Sequence, residues 1–433
     1  MDQVKRIHVE FTAKNITGNA GLILFGQFAE KLNLKKMLDQ KITIKRGANA
    51  DYTMGDIITM LMIGVLAGVR HMSHLLVLKN DQVINTLFNW KLFPDPSTFG
   101  KLFKRFNHKH CQELSEAEAE TRKKVWTKKW FPRITMDMDS TVIGVNGHQE
   151  GAEKGYNSKK KGQDSYHPML CFIAENHECL HNWFRSGSAY TANGVVEFMK
   201  ECFDRLPQQI GSVFVRADSG FFNGSLLDFL EEKKSLYLIK VKMKNLEGLL
   251  LSQRWQRDKR KPGIETADFL YQCHGWKIPR RFVATRILTD AGTNKGTFFP
   301  IPEYEFFCYV TNDPDSSPWN IHKLYGKRAT SENWIQWCKG QMASGSIRTQ
   351  DFWANSAIFQ SCIFAYNLMV WMMWLTTEDG LNEEPQTIRN WLIHSAAVLL
   401  HMARQWIFRL SRDYAFKERW LEIQGGISSL SFA

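Results

Sequence analysis

Ile134-Thr135-Met136-Asp137-Met138-Asp139-Ser140-Thr141-Val142-Ile143-Gly144-Val145 is the stretch whose reading decides the fold. It reads as an apolar strand that carries acids, with Asp137 and Asp139 two apart and therefore on one face. A carboxylate on or at the end of a strand is costly unless something binds it. Two further acids stand in telling surroundings: Asp218 ends the apolar run of Val215-Arg216-Ala217-Asp218-Ser219-Gly220-Phe221-Phe222, and Glu332 lies in Tyr325-Gly326-Lys327-Arg328-Ala329-Thr330-Ser331-Glu332-Asn333-Trp334. A pair of divalent metal ions would satisfy such acids, and such a pair can cut and rejoin phosphodiesters.

Outward from that strand, residues 168–174 and 179–185 read as two more strands. Thr191 then caps a predicted helix to about residue 206. A buried strand over 213–217, a helix over 223–233 and a strand over 236–241 follow. The order strand-strand-strand-helix-strand-helix-strand is that of the ribonuclease-H-like α/β fold, a mixed sheet with one acid on its first strand and another at the end of its fourth. Residues 1–130 read as a helical, DNA-binding N-terminal region. Its Lys101, Lys104 and Arg105 stand beside Phe99, Leu102, Phe103 and Phe106, a basic face that either meets DNA or is simply solvated. The core occupies 131–242 and resumes over 313–376, where a helix over 323–341 carries Glu332. Residues 243–312 read as a β-rich insertion subdomain, and 377–433 as a basic helical tail with Arg389, Arg404, Arg409 and Arg412.

Composition narrows the partners. The 433 residues are 44% hydrophobic, enough for a sizeable core, and carry a net charge of +12, which points to a polyanion such as nucleic acid. The eight cysteines form no C-x-x-C pair, so neither a zinc site nor a disulfide framework is expected. Residues 1–6 lead into no signal-like apolar run, and the expected compartment is the cytoplasm, at the nucleoid when on DNA. Residues 353–375 hold no charge and are long enough to span a bilayer, but Asn355, Ser356, Gln360, Ser361 and Asn367 favour a helix buried inside the protein, with no membrane partner.

Around Glu332 the spacing Y-x2-R-x3-E-x6-K is met by Tyr325, Arg328, Glu332 and Lys339. On one helix Arg328 and Glu332 share a face. One acid would then point at metals while the tyrosine, arginine and lysine reach phosphates. With these motifs the chain resembles the DDE transposases of bacterial insertion sequences, in the cut-and-paste branch marked by the Y-R-E-K pattern. The stretches Gly147–Gly151, Gly155–Asn157, Tyr166–Pro168 and Arg216–Phe221 look like one subgroup of these enzymes.

The resemblance implies catalytic, metal-binding roles for Asp139, Asp218 and Glu332, with Asp137 left open as an alternative first ligand. It implies two Mg2+ ions, with Mn2+ an acceptable substitute. DNA contacts are expected from Tyr325, Arg328, Lys339, Lys159, Lys160, Arg280, Arg281 and Trp276, with Trp255 a second candidate for stacking on a flipped base. The loop lysines read equally as a solvated charge run, and either tryptophan as a core aromatic. His148 and His167 read as positioning residues. The implied reaction is hydrolysis at terminal inverted repeats, a hairpin intermediate and joining to target DNA, carried out by a homodimer. The rivals are a two-metal nuclease or recombinase of the same fold and a catalytically silent DNA-binding protein.

Overall fold

A computed structural model describes residues 7–432 apart from 48, 156, 158–159, 258–260, 291–302 and 379–382. The chain forms two compact units, one of residues 126–336 and one assembled from 1–125 with 337–433.

In the 126–336 unit the strands β1 (Arg133–Ser140), β2 (Met169–Ile173) and β3 (Cys179–Trp183) precede α1 (Val195–Asp204). Then come β4 (Ser212–Ala217), α2 (Gly224–Glu232), β5 (Leu236–Lys240), β6 (Gln256–Arg257), β7 (Ile264–Tyr271), β8 (Arg280–Asp290), β9 (Glu303–Thr311), α3 (Pro318–Gly326) and α4 (Ala329–Gln336). Among the described residues one sheet runs β6-β7-β8-β9-β5-β4-β1-β2-β3. β1 pairs parallel with β4 and β4 parallel with β5, while the remaining neighbours are antiparallel. The β3-β2-β1-β4-β5 portion is the ribonuclease-H-like order read from the sequence. β2 is buried at every position, as expected for a strand covered on both faces.

Three details differ from expectation. Residues 243–312 are β-rich but do not stand apart: β9 pairs with β5 through Tyr309↔Lys240, Val310↔Ile239 and Thr311↔Leu238, so they prolong the core sheet. Pairing covers the edge that β5 would otherwise leave open. Thr191 caps nothing, because α1 starts after Gly194, whose left-handed φ of +71° favours glycine. The predicted helix over 323–341 is two helices followed by a π-helical turn, Trp337–Gln341, in the other unit. Gly326, a poor helix former, ends α3.

In the other unit, Met54–Leu66 opens with a capping box between Thr53 and Asp56. The helix Phe352–Thr376 is long and apolar enough to cross a membrane, but 94% of its most apolar window is buried, so it is a core helix. Its Asn367 is satisfied inside: Asn367 donates to Glu118, Glu118 pairs with Arg122, and the Arg122 guanidinium lies over Trp371. The tail is only partly helical. Ala397–Met402 and Gln405–Leu410 form a hairpin beside Ile16–Thr17, followed by the helix Lys417–Ser429.

Candidate active site

The parallel register of β1 and β4 builds the site. It pairs Asp137 with Arg216 and Met138 with Ala217, so Asp139 and Asp218 follow on adjacent strands, which lie about 4.8 Å apart. Arg216 closes on Asp137 with two bonds of 2.7 Å, Nε to Oδ1 and Nη2 to Oδ2. The Asp137 side chain is wholly buried in that fork, whereas Asp139 keeps 14% of its side chain exposed. Arg216 also donates to the Leu324 carbonyl at 2.9 Å and so ties α3 to the sheet.

Asp139 accepts from the Ser140 N–H at 2.7 Å and from Arg328 Nη2 at 2.6 Å. Arg328 Nη1 reaches Glu332 Oε1 at 3.4 Å, one helical turn on, so one guanidinium bridges the two acids. Arg328 Nε is buried without a hydrogen-bond partner. Asp218 caps the 3-10 turn Ser219–Phe221, accepting from the Gly220 N–H at 2.8 Å. Burial pushes the Asp139 carboxyl up to about 6; Arg328 pulls it down, while Asp218 and Glu332 add to the rise. Burial likewise pushes the Tyr325 hydroxyl up to about 12, with Arg328 opposing and Asp218, Asp139 and Glu332 reinforcing. Asp218 and Glu332 thus both bear on Asp139 and on Tyr325.

Tyr325 packs its ring on Tyr309 at 4.7 Å, against a cluster of Phe214, Leu238, Val283, Tyr309 and Ile321. That packing fixes α3 over β9 and β5. A second group lies beside Asp139: Ser140 Oγ is 3.1 Å from His167 Nε2 and 3.2 Å from Thr191 Oγ1. The Ala189 carbonyl, 2.7 Å from Nδ1, makes that nitrogen the donor, so Nε2 accepts the Ser140 hydroxyl. This contact suits the positioning part read for His167. Ser140 and Arg216 were not read as site residues in the sequence, where their signal was adjacency to the acids, and Thr191 was read only as a helix cap.

Asp139, Asp218, Tyr325, Arg328 and Glu332 are therefore brought together, while Lys339 sits in the π-helical turn of the other unit. Several DNA-contact expectations meet a different outcome. Arg280 is buried and paired with Asp228 at 2.5 Å and Glu231 at 2.7 Å, and its guanidinium lies over Trp276. Its charge is spent inside the unit. Arg281 is held by Asp268 at 2.6 Å and by the carbonyls of Asp313 and Ser316. Trp276 packs against Phe222 and Phe282, and Trp255 donates to the Leu250 carbonyl at 3.1 Å. Both are packed aromatics. Lys160 is exposed, with its backbone N–H on Asn157 Oδ1, and His148 is exposed; Lys159 lies outside the described residues.

Among the described residues no three His, Cys, Asp or Glu side chains already stand close enough to hold a metal ion. The acids that converge are nonetheless all carboxylates, the hard oxygen donors that Mg2+ takes, and Arg328 supplies the positive charge between two of them. The donor set fits a hard divalent cation.

Over residues 1–431 the chain matches the family described as transposase DDE domain group 1. No curated protein matches it. Among solved structures it is similar to a cryo-EM structure of the piggyBac transposase synaptic complex with hairpin DNA, at 13% identity and a TM-score of 0.44, over 86% of this chain and 78% of that one.

Proposed function

The chain belongs to the family of group 1 transposase DDE domains, and we propose on that footing that it cuts DNA at terminal inverted repeats and joins the ends to target DNA. Asp139, Asp218 and Glu332 would hold a pair of Mg2+ ions, which when bound activate the attacking oxygen and stabilise the leaving one. Every other part falls to the chain's own side chains. Arg328, whose Nε is buried and unpartnered, turns from the acids to a non-bridging phosphate oxygen as the strand enters. Tyr325, held protonated at neutral pH, donates its hydroxyl to the same backbone. Lys339 contributes a further phosphate contact, completing the Y-R-E-K set. Asp137 is the internal anchor of Arg216, and Asp139 the first acid of the reaction. The strand cleaved first leaves a 3′-hydroxyl that attacks a phosphodiester of the opposite strand, closing a hairpin as the bond to the flanking DNA breaks and its 3′-hydroxyl leaves, and two copies of the chain hold the two ends.

The observation that supports this reading best is the single electrostatic cluster of Asp139, Asp218, Glu332, Arg328 and Tyr325 in a chain of this family. In Mg2+ the purified protein should nick a duplex bearing the inverted repeats that flank its coding region. Asp218→Ala should bind that duplex but cut it at least roughly a thousandfold more slowly, the loss of about 4 kcal/mol of metal-derived stabilisation. Undiminished cutting by that variant would remove Asp218 from the reaction. Hairpin ends, resolved on a denaturing gel, test the second step separately.

A further inference from the structure

The hairpin Ala397–Met402/Gln405–Leu410 outgrows the unit that supports it. Its base is buried at Ala397 and Leu399, but every residue from His401 to Trp406 is exposed, with Trp406 at 58% and Met402 at 53%. A two-residue turn closes it, with Ala403 at φ +50° and Arg404 at φ +61°. Two positive φ values give the turn whose twist matches a tight antiparallel ribbon. His401 and Trp406 are cross-strand partners whose rings lie 4.5 Å apart. They continue the face that carries Leu399 and Phe408 below them, so an apolar stripe runs off its cover and ends in an exposed tryptophan.

The charge on the hairpin itself is of one sign. From Ala397 to Leu410 the sequence holds no Asp or Glu, while Arg404 stands at the tip, Arg409 on the opposite face of the ribbon from Trp406, and Arg412 just past its end beside Asp413, all three arginines exposed. A protein-binding ribbon with an apolar stripe is not required to exclude acids; a ribbon that enters a polyanion is. A two-stranded antiparallel ribbon has the width the DNA major groove admits. We propose that this hairpin is a DNA-reading element that lies in the major groove of duplex DNA. Trp406 and His401 face the base edges there, and Arg404, Arg409 and Arg412 hold the flanking phosphates. The inference rests on the reading of the chain as a DNA-acting transposase, and adds to it a binding element outside the acidic cluster.

The test measures equilibrium binding in EDTA, so that cleavage plays no part. The probes are a fluorescein-labelled duplex from the DNA flanking the coding region and a scrambled duplex of the same length. Trp406→Ala should weaken binding to the flanking duplex roughly tenfold and narrow its advantage over the scrambled one. The double variant Arg404→Ala/Arg409→Ala should weaken both and make the slope of log K against log salt shallower by about 1.8, the loss of two phosphate contacts. Unaltered far-UV circular dichroism shows that both variants are folded. If wild type binds and the variants match it in affinity and slope, the hairpin proposal alone falls. It falls too if DNA binding is unchanged but sedimentation shows altered self-association, which assigns the stripe to a second copy of the chain. A wild-type chain that binds neither duplex overturns the transposase reading along with it.

Discussion

Arg216 closes a two-bonded fork on Asp137 inside the sheet, whereas Arg328 reaches Asp139 from the turn between α3 and α4, where part of the carboxylate still meets water. The difference in burial gives the two arginines different costs of removal. Arg216→Met would leave a fully buried carboxylate uncompensated and the Leu324 carbonyl unpaired. A loss of about 3–5 kcal/mol in unfolding free energy is expected, measured by urea titration. Arg328→Met should cost distinctly less, because Asp139 can take up a proton or water when its partner goes. Equal losses would mean that the fork on Asp137 contributes no more than the surface-side pair. The sequence favoured Asp139 and left Asp137, two residues before it on the same face, as the alternative. The part played by Asp137 is visible only through its partner across the parallel pair, 79 residues away in the chain.

At the scale of elements, β3 and α1 are fastened by Glu201. Its carboxylate accepts from His181 Nε2 at 2.8 Å and Trp183 Nε1 at 3.0 Å, with Arg205 at 3.6 Å. Burial opposes its ionisation, but the His181 and Trp183 hydrogen bonds outweigh that and hold the carboxyl down at about 2. A depressed folded value contributes stability above the unfolded value of about 4.3 and loses it as pH falls toward 2. Glu201→Gln should therefore be less stable than the parent near about pH 6, and the gap should close between about pH 4.3 and 2. Urea midpoints for both proteins across that window measure it; a gap that persists at the acid end would refute the linkage. The strands and helices of this region were legible because each carries its own apolar run and turn residues. The tail hairpin was not. Its turn, Ala403-Arg404, has none of the Gly or Asn that usually marks two positive φ values, and its apolar residues also fit a helix.

At the scale of the whole chain, one unit is contiguous and the other is assembled from both ends of the sequence. Arg389 joins those ends: it is buried and donates to the carbonyls of Val65, Leu66 and Gln341 at 2.7–2.9 Å. Two of these carbonyls belong to the last turn of Met54–Leu66: Val65 also accepts the Gly68 N–H at 3.0 Å, so Arg389 adds a second donor there and gives the Leu66 carbonyl a side-chain donor. Arg389→Met should lower the stability of that unit by about 3–5 kcal/mol, seen as an earlier loss of helical circular dichroism in urea. A change within about 0.5 kcal/mol would show that water replaces the guanidinium there. In the sequence Arg389 looked like one more basic residue of a helical tail. The sequence by itself determined which segments of the core sheet are strands, that acids sit on or beside them, and that one long apolar helix must be buried. Those follow from local hydrophobicity and spacing. Tertiary structure alone decided which acid is sealed by an arginine, which arginines are consumed inside the protein, and where the residues 243–312 attach. Each of these is set by the register of strands far apart in the chain, and register is fixed by packing on faces that no local pattern specifies.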